Sequence, residues 1–207
     1  MKRNASKRDT ILNSALELFN QKGTGPVTTN HIAKSAEVSP GNLYYHFRNK
    51  EEIIRELYEQ FRDEYGAVWH NVFDGPFDAE AILNVVVAGF DINAKYRFIA
   101  LELVALCRHD PMLMARQRES YTEHFTLIQE LVRRAIESGV FIEQEDDRIY
   151  DDTIHMIWLI NQYWLSYVHL QSDTPDAAMI RRGVRLSLRA IEPYLHPAFR
   201  KIWKQFF

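Results

Sequence analysis

A chain of 207 residues with 46% apolar and 26% charged residues has the composition of a folded globular protein, which excludes intrinsic disorder. Its longest apolar run, residues 156–168, is interrupted by Asn161, Gln162 and Ser166 and is too short to be a transmembrane helix, so no membrane association is expected. A single cysteine, Cys107, excludes an internal disulfide, and the basic N-terminus lacks the apolar segment of a secretory signal, so we expect a cytoplasmic protein.

The net charge of −3 is unevenly distributed along the chain. Residues 1–50 contain eight basic and three acidic residues, a net charge of +5, so the remaining 157 residues sum to −8. A basic end on an acidic body is typical of a protein that binds a polyanion. A solvated basic arm is the alternative interpretation, and charge alone does not decide between the two.

The first 50 residues predict three helices separated by a glycine-containing loop and a tight turn. Apolar side chains recur at helical spacing in the first helix, threonines precede the second as N-caps, and a proline suits the first turn of the third. The predicted helices span residues 7–22, residues 28 or 29 to 35, and residues 40–47, with the turn at residues 36–39.

The rest of the chain predicts longer helices punctuated by proline and glycine, and only residues 139–147 favour a short extended segment. The predicted helices span residues 50–72, 78–94, 96–108, 111–138, 147–170, 175–192 and 197–206. The sequence therefore predicts an all-α protein with a small N-terminal domain, residues 1–50, and a larger helical domain, residues 51–207.

The predicted helix at residues 147–170 is apolar on every face and must therefore be enclosed. Burial within its own domain is one solution, and a partner subunit that covers one side is the interpretation we favour. We therefore predict a homodimer sealed mainly by residues 147–170 and 175–192, with Leu165 as an outward-facing position.

Two short helices joined by a tight turn form the pattern of a helix-turn-helix, which places its second helix in the major groove of DNA. Ile32, Ala33 and Leu43 supply its apolar packing positions, and Val38 is expected to fill the turn. The outer face of the second short helix then carries Pro40, Gly41, Asn42, Tyr45 and His46.

This segment resembles the TetR family of repressors over roughly residues 7–60. The positions that match the family pattern are Thr29, Ile32, Ala33, Ala36, Val38, Ser39, Gly41, Leu43, Tyr44, His46, Phe47 and Lys50. The resemblance implies a homodimeric transcriptional repressor, not an enzyme, whose second short helix binds palindromic double-stranded operator DNA. The usual glycine of the turn is Glu37 here, which predicts a left-handed residue strained by about 1 kcal/mol.

Carried over by position, the resemblance implies two kinds of DNA contact. Phosphate contacts are implied for Thr28, Thr29, Tyr44, His46 and Lys50, and base-edge contacts for Pro40, Gly41, Asn42 and Tyr45, with Asn30 and Ser39 flanking them. Asn42 is the candidate for bidentate pairing with adenine, and Tyr45 offers an apolar face to a thymine methyl group. We expect Phe47 to pack in the core instead.

The resemblance also implies a small-molecule effector in the helical body. Phe98, His155, Trp158 and Gln162 combine aromatic groups with sparse polar atoms, a mixture that lines ligand sites and also fills cores. Few charged residues lie in these helices, so we expect an apolar or amphipathic effector. The alternative is a DNA-binding regulator without an effector, controlled by a protein partner or by its abundance, and a cavity in the body would favour the first hypothesis.

Other chemistry finds little support in the sequence. There is no HExxH or CxxC motif, and Asp151 and His155, although they share a helix face, do not by themselves make a metal site. Cys107 lies in an apolar helix and is expected to be a core residue. No phosphate-binding loop, nucleophile elbow or pair of catalytic carboxylates is present, so we predict no catalytic residues, metal or cofactor.

Overall fold

The computed structural model describes residues 6–74, 77–146, 148–172 and 176–204, and regular structure within them is helical. Its α-helices are α1 (Lys7–Lys22), α2 (Thr29–Ser35), α3 (Pro40–His46), α4 (Lys50–Asp74), α5 (Ala79–Lys95), α6 (Arg97–His109), α7 (Pro111–Glu137), α8 (Arg148–His169), α9 (Ala177–Ile191) and α10 (Arg200–Lys204). Among these segments, no helix is both long and apolar enough to cross a lipid bilayer.

The all-α prediction is confirmed, and the helix bounds agree with the predicted ones to within about three residues. The predicted helix ends at residues 147, 175 and 206 lie outside the described residues. The extended segment predicted at residues 139–147 contains Phe141, which forms an antiparallel bridge with Leu195.

Side-chain caps explain where several helices begin. Ser6 and Asp9 form a reciprocal capping box at α1, in which each side chain accepts a hydrogen bond from the other's backbone N–H at 3.1 Å. Asp176 caps α9 by accepting a hydrogen bond from the N–H of Met179 at 2.8 Å. Gly23 ends α1 with a φ of 74°, a conformation that glycine adopts without strain.

Packing divides the chain into two compact units. Unit 1 comprises Met1–Asp63 and Tyr96–Arg116, and unit 2 comprises Glu64–Lys95 and Gln117–Phe207. The packing unit therefore extends past the predicted boundary at residue 50, because the first half of α4 and the whole of α6 pack with the N-terminal helices. The predicted division of roles between residues 1–50 and 51–207 remains a prediction.

The core of unit 1 is built around α1. Four of its side chains are at most 1% exposed: Ile11 and Phe19 of α1, Leu43 of α3 and Leu57 of α4. Phe98 of α6 completes this core, with its ring centroid 5.3 Å from that of Phe19. The short helices are therefore held by a shared apolar core and do not depend on their own weak helical preference.

Unit 2 is organised by close packing among α5, α8 and α9. Gly183 of α9 lies against the rings of Phe90 and Trp164, where a larger residue has no room. The indole N–H of Trp164 donates to the carbonyl of Met179 at 2.9 Å, so α8 and α9 are also joined by a hydrogen bond. Trp203 of α10 is fully buried, and its indole N–H donates to the carbonyl of Leu188, which joins α10 to α9.

This packing predicts that Gly183→Ala destabilises the protein. The added Cβ would lie 2.5 Å from both Phe90 and Trp164, so the two rings would have to shift. We expect the free energy of unfolding to fall by about 1–3 kcal/mol in urea titrations. The matched control is Gly66→Ala in α4, where a Cβ meets nothing within 4 Å, so helix propensity should raise stability by about 0.5–1 kcal/mol. Undiminished stability of Gly183→Ala would contradict the close packing.

Candidate functional site

The helix-turn-helix of unit 1 is formed by α2, a turn at residues 36–39 and α3. Ile32, Ala33 and Leu43 are buried as predicted, and they fix α2 and α3 against the rest of unit 1. Val38 is half-buried, and its backbone N–H donates to the carbonyl of Ala33 at 3.0 Å, which closes the turn. Phe47 is buried as predicted, with the guanidinium of Arg8 5.1 Å from its ring centroid.

Glu37 adopts the left-handed conformation that the departure from the family glycine predicted. Its φ is 55°, and it is the one non-glycine residue with positive φ among the described residues. Its side chain is exposed. The turn is therefore intact in shape but carries a local strain that glycine would avoid.

Two of the predicted DNA-contacting hydroxyls start helices. Thr28 caps α2 by accepting from the N–H of His31 at 3.3 Å, and His31 Nδ1 accepts from the N–H of Thr28 at 3.2 Å. Ser39 caps α3 by accepting from the N–H of Asn42 at 3.2 Å. Each hydroxyl acts as an acceptor in its cap, so its proton is still available to a DNA phosphate oxygen.

The outward face of α3 is polar, aromatic and largely exposed. Pro40 and Gly41 are exposed, and 83% of the Tyr45 side chain is accessible to solvent. Tyr44 is half-exposed, and its hydroxyl lies 3.0 Å from that of Thr29 in α2, so these two predicted phosphate contacts are adjacent.

The remaining predicted members lie near this face. Asn30 is exposed on α2, and His46 is half-buried with its ring edge-on to that of Tyr45 at 5.1 Å. Tyr45 is the most exposed large side chain of α3 and is therefore the most accessible to a binding partner.

Asn42 is placed less favourably than predicted. Its side chain is half-buried, and Oδ1 is buried without a hydrogen-bond partner among the described residues. Bidentate pairing with adenine needs both the amide nitrogen and the oxygen at the groove. The base-reading role of Asn42 therefore remains a prediction, and it requires a change of rotamer.

Lys50 has an intramolecular role that the sequence did not reveal. Its Nζ donates to the carbonyl of Thr24 at 2.7 Å, in the loop between α1 and α2. Glu102 of α6 accepts from the N–H of the same threonine at 3.0 Å and from its hydroxyl at 2.5 Å. We call Thr24, Lys50 and Glu102 the loop clamp. An ammonium group has three donors, so Lys50 can bind this carbonyl and also a phosphate.

Helix α6 makes further contacts within unit 1. The guanidinium of Arg97 donates twice to the carbonyl of Asn20, at 2.9 and 2.7 Å. Arg55 of α4 and Asp110 form an ion pair at 2.5 Å. Burial raises the pKa of Asp110, but hydrogen bonds from the N–H of Leu113 and from Arg55 outweigh this effect, so its net pKa is lowered and the carboxylate stays charged.

A cavity of about 100 Å³ lies inside unit 2. Its apolar lining comes mainly from α5, α7 and α8, and its polar groups come from side chains on α4, α7 and α8 and near η1 (Glu192–Tyr194). The apolar lining includes Val85, Val86, Ile128, Leu131, Ile154 and Trp158, and the polar groups include Tyr65, His124, Tyr150, Thr153, Asn161 and Tyr194. None of the described residues that line the cavity is Asp, Glu, Lys or Arg.

Of the four predicted effector residues, the cavity contains one. Trp158 lines it, but Phe98 lies in the core of unit 1. His155 is exposed, with its Nδ1 atom 2.7 Å from the backbone carbonyl of Asp151, and Gln162 is half-buried outside the lining. The cavity side of α8 carries residues 154, 157, 158 and 161, so residues 155 and 162 are each rotated by about 100° from a lining neighbour.

A hydrogen-bond network that the sequence did not reveal joins three helices at the cavity. The hydroxyl of Tyr65 lies 3.0 Å from both the carbonyl of Gly89 and the Oδ1 of Asn161. Asn93 Nδ2 donates to the backbone carbonyl of Asn161 at 3.0 Å and to its Oδ1 at 2.7 Å. Burial raises the pKa of Tyr65, so its hydroxyl remains protonated.

His124 is the remaining ionisable group of interest in the cavity. The indole N–H of Trp69 donates to its Nδ1 at 3.4 Å, and the rings of Trp69 and Tyr65 both meet it edge-on at 5.3 Å. Burial lowers the pKa of His124 to about 4, so the imidazole is neutral at physiological pH. The cavity therefore carries no formal charge.

Helix α8 also exposes an apolar stripe in unit 2. The side chains of Met156, Leu159, Tyr163 and Tyr167 are 44–53% exposed and recur three or four residues apart, so they lie on one face. Leu165, predicted to face outward, is only 3% exposed and points to the core side. Because α8 has apolar residues on every face, their spacing does not show which face is exposed, and this explains the error.

Comparisons with known proteins agree on one family. The TetR_N model, described as bacterial regulatory proteins of the tetR family, matches residues 11–57, and the TetR model, described as a bacterial transcriptional repressor, matches residues 60–202. The HTH-type transcriptional regulator UidR of Escherichia coli K12 is 25% identical over 132 residues, which covers 64% of this chain and 67% of UidR. The HTH-type transcriptional repressor KstR2 of Rhodococcus jostii is 28% identical over 139 residues, covering 66% of each chain.

Solved structures extend the likeness to nearly the whole chain. A TetR-family transcriptional regulator from Marinobacter aquaeolei VT8 superimposes with a TM-score of 0.87 at 30% identity, and the match covers 98% of this chain and 99% of that one. The fatty acid degradation regulator FadR from Bacillus halodurans superimposes with a TM-score of 0.66 at 21% identity, covering 90% and 96%, a likeness in fold alone.

The strained turn predicts that Glu37→Gly stabilises the protein by about 0.5 kcal/mol. Glycine avoids the left-handed strain, although it also gives the unfolded chain more freedom. The measurement is thermal unfolding with the oligomeric state held constant. Glu37→Gln is the control, because it removes the charge but keeps the Cβ, and it should leave stability unchanged. A lower melting temperature for Glu37→Gly would show that the glutamate has a stabilising role that outweighs the strain.

Proposed function

The chain belongs to the TetR family of bacterial transcriptional regulators, and on this premise we propose that it is a homodimeric repressor of palindromic operator DNA that a small apolar or amphipathic effector releases. The family assignment carries DNA-binding regulation. The form of the operator, the dimer and the effector are the proposal, and different features of the two units support each of them.

The geometry of α3 is the observation that carries DNA binding. Helix α3 has the form of a helix that reads DNA bases. It is short, its Leu43 is buried and its Tyr45 is exposed, and capping hydroxyls lie in the helix-turn-helix. Thr28, Thr29, Tyr44 and Lys50 supply neutral and charged donors for phosphates around it. In the proposed role, the phosphate contacts set the position and the outer face of α3 reads the bases.

The exposed stripe on α8 supports the dimer. Its four members are apolar or aromatic, and such a contiguous face on a helix is expected to be covered by another surface. A second copy of the chain would bury the same stripe on both subunits across a two-fold axis, and that symmetry matches a palindromic operator. We place α9 beside α8 in this interface, as the sequence predicts.

The cavity in unit 2 supports an effector in preference to control by abundance or by a protein partner. A core filled completely would have favoured those alternatives. The chain passes between the two units inside α4 and inside α7, so a change in either helix is transmitted covalently. We propose that α4 is the main lever, because it begins at Lys50 beside the loop clamp.

The first test is a selection from random duplexes with the full-length protein, followed by salt titration of the selected site. We expect a palindrome whose half-sites are centred about 34–36 Å apart or a multiple of that distance. Lys50→Ala should reduce the slope of log affinity against log salt by about 0.9, because one phosphate contact is lost.

Lys201→Ala, which removes an exposed cation of α10, is the matched control and should leave the slope unchanged. If Lys50→Ala weakens binding without changing the slope, Lys50 acts only through the loop clamp and not on a phosphate. No preference for any duplex would contradict the operator proposal.

The dimer proposal predicts that Leu159→Asp separates the subunits. Leu159 is 50% exposed in the single chain, and an aspartate there would be buried without a partner in the dimer, at a cost of several kcal/mol. Sedimentation at micromolar concentration should change from dimer to monomer. Met112→Asp, which places the same charge on an apolar side chain that is 66% exposed outside α8, should leave the dimer intact. A monomeric wild type, or a dimeric Leu159→Asp, would contradict this interface.

A further inference from the structure

We propose that the cavity of unit 2 selects an uncharged ligand whose polar group is a hydrogen-bond acceptor of the carbonyl type, held by His124 Nε2–H and the amide N–H of Asn161. The proposal deepens the effector role and therefore rests on it. It follows from the direction of each hydrogen bond around the cavity.

The proton position on His124 is determined by its neighbour. An indole N–H is only a donor, so the Nδ1 atom that faces Trp69 must be the acceptor. In a neutral imidazole the single proton then resides on Nε2. No partner for this Nε2–H is found among the described residues, and His124 lines the cavity. The ring therefore offers a donor without an acceptor.

The orientation of the Asn161 amide follows from a similar chain of contacts. The Nδ2 atom of Asn93 is identified as a donor by its contact with a backbone carbonyl, which only accepts. The side-chain atom of Asn161 that meets the same Nδ2 at 2.7 Å must therefore be its oxygen, Oδ1. The other side-chain atom, Nδ2, carries two N–H groups and makes no hydrogen bond within the described part of the chain.

His124 and Asn161 therefore both present hydrogen-bond donors to the cavity. The acceptors at this end of the cavity, the carbonyl of Gly89 and Oδ1 of Asn161, already lie within 3.0 Å of Tyr65 or Asn93 donors. Asn93 Oδ1 is buried without a partner, but Asn93 does not line the cavity. A ligand that brings an acceptor would satisfy the unused donors, whereas one that brings only donors would leave them unpaired.

The absence of charge in the lining excludes ionic ligands. The lining residues include no Asp, Glu, Lys or Arg, and burial favours the neutral form of the His124 ring. A carboxylate or an ammonium group would therefore lose its hydration without gaining a counter-charge. Ketones and esters on an apolar skeleton meet both conditions, and fatty acid anions do not.

The size of the cavity suggests the probes. A cavity of about 100 Å³ is smaller than the roughly 150 Å³ of an engineered site that binds benzene, so a molecule with one ring and a short side chain exceeds it and requires some expansion of unit 2. We choose cyclohexyl methyl ketone, ethylcyclohexane and cyclohexanecarboxylate, which share one ring and differ in the polar group. Binding to the full-length protein at pH 7 would be followed by calorimetry and by the fluorescence of Trp69 and Trp158, which line the cavity.

The ketone should bind more than about tenfold more tightly than the carboxylate. His124→Phe should weaken ketone binding about fivefold more than it weakens binding of ethylcyclohexane, because only the ketone loses a hydrogen bond. Comparing the two ligands cancels any general loss of packing in the variant. His155→Phe, the same change at a histidine outside the lining, should leave the ratio unchanged. Nitrogen-15 spectra of the wild type should show the proton of His124 on Nε2 and a shift of that signal with the ketone alone.

The proposal would be overturned by absent ketone binding, by a carboxylate that binds as tightly as the ketone, or by a His124 proton on Nδ1. An unchanged ketone ratio in His124→Phe would do the same. Operator affinity measured with the same probes separates this proposal from the effector role. If the ketone binds as expected but operator affinity is unchanged, the effector role fails and the ligand class stands. If the carboxylate releases the operator while the ketone does not bind, the effector role stands and the ligand class fails.

Discussion

The position of the helix-turn-helix depends on the attachment of the α1–α2 loop to α6. Glu102 and Thr24 are 78 residues apart in the chain. Their hydrogen bonds join the loop that precedes α2 to a helix that follows α3 in sequence. Gly23 permits the contact, because a Cβ there would lie 2.7 Å from the carboxylate. Lys50 adds a third contact to the loop by donating to the carbonyl of the same threonine. The position of α2 and α3 therefore depends on a helix that sequence order places far from them.

This arrangement explains why a small helix-turn-helix unit is stable. Two helices of seven residues each are too short to be helical alone, and they gain stability from a buried core and from caps. The core is shared with α1, α4 and α6, so the unit that packs together is larger than the unit that faces DNA. Strain at Glu37 is tolerated within this framework because the surrounding burial exceeds its cost of about 1 kcal/mol.

The helices and the exposed face of α3 were predictable from the sequence because their signals are local. Caps, proline positions and apolar spacing gave the helix bounds, and the family glycine position gave the backbone of Glu37. The cavity was not predictable in the same way, because its polar groups come from separate helices that only the fold brings together. Phe98 illustrates the difficulty: an aromatic residue gives no indication of which of two cores it joins. Leu165 shows a second limit, since the sequence of a helix with apolar residues on every face does not show which residues are exposed.

The small size of the cavity bears on how an effector would act. A ligand shifts an equilibrium between two conformations only by the difference in its affinity for them. One that filled the existing volume without displacing any side chain would gain no such difference, whereas one larger than about 100 Å³ would favour an expanded form of unit 2. A hundredfold loss of operator affinity requires about 2.7 kcal/mol of coupling, which a few displaced contacts supply. The hydrogen bonds of Asn161 and His124 would then orient the ligand, and its apolar bulk would drive the change.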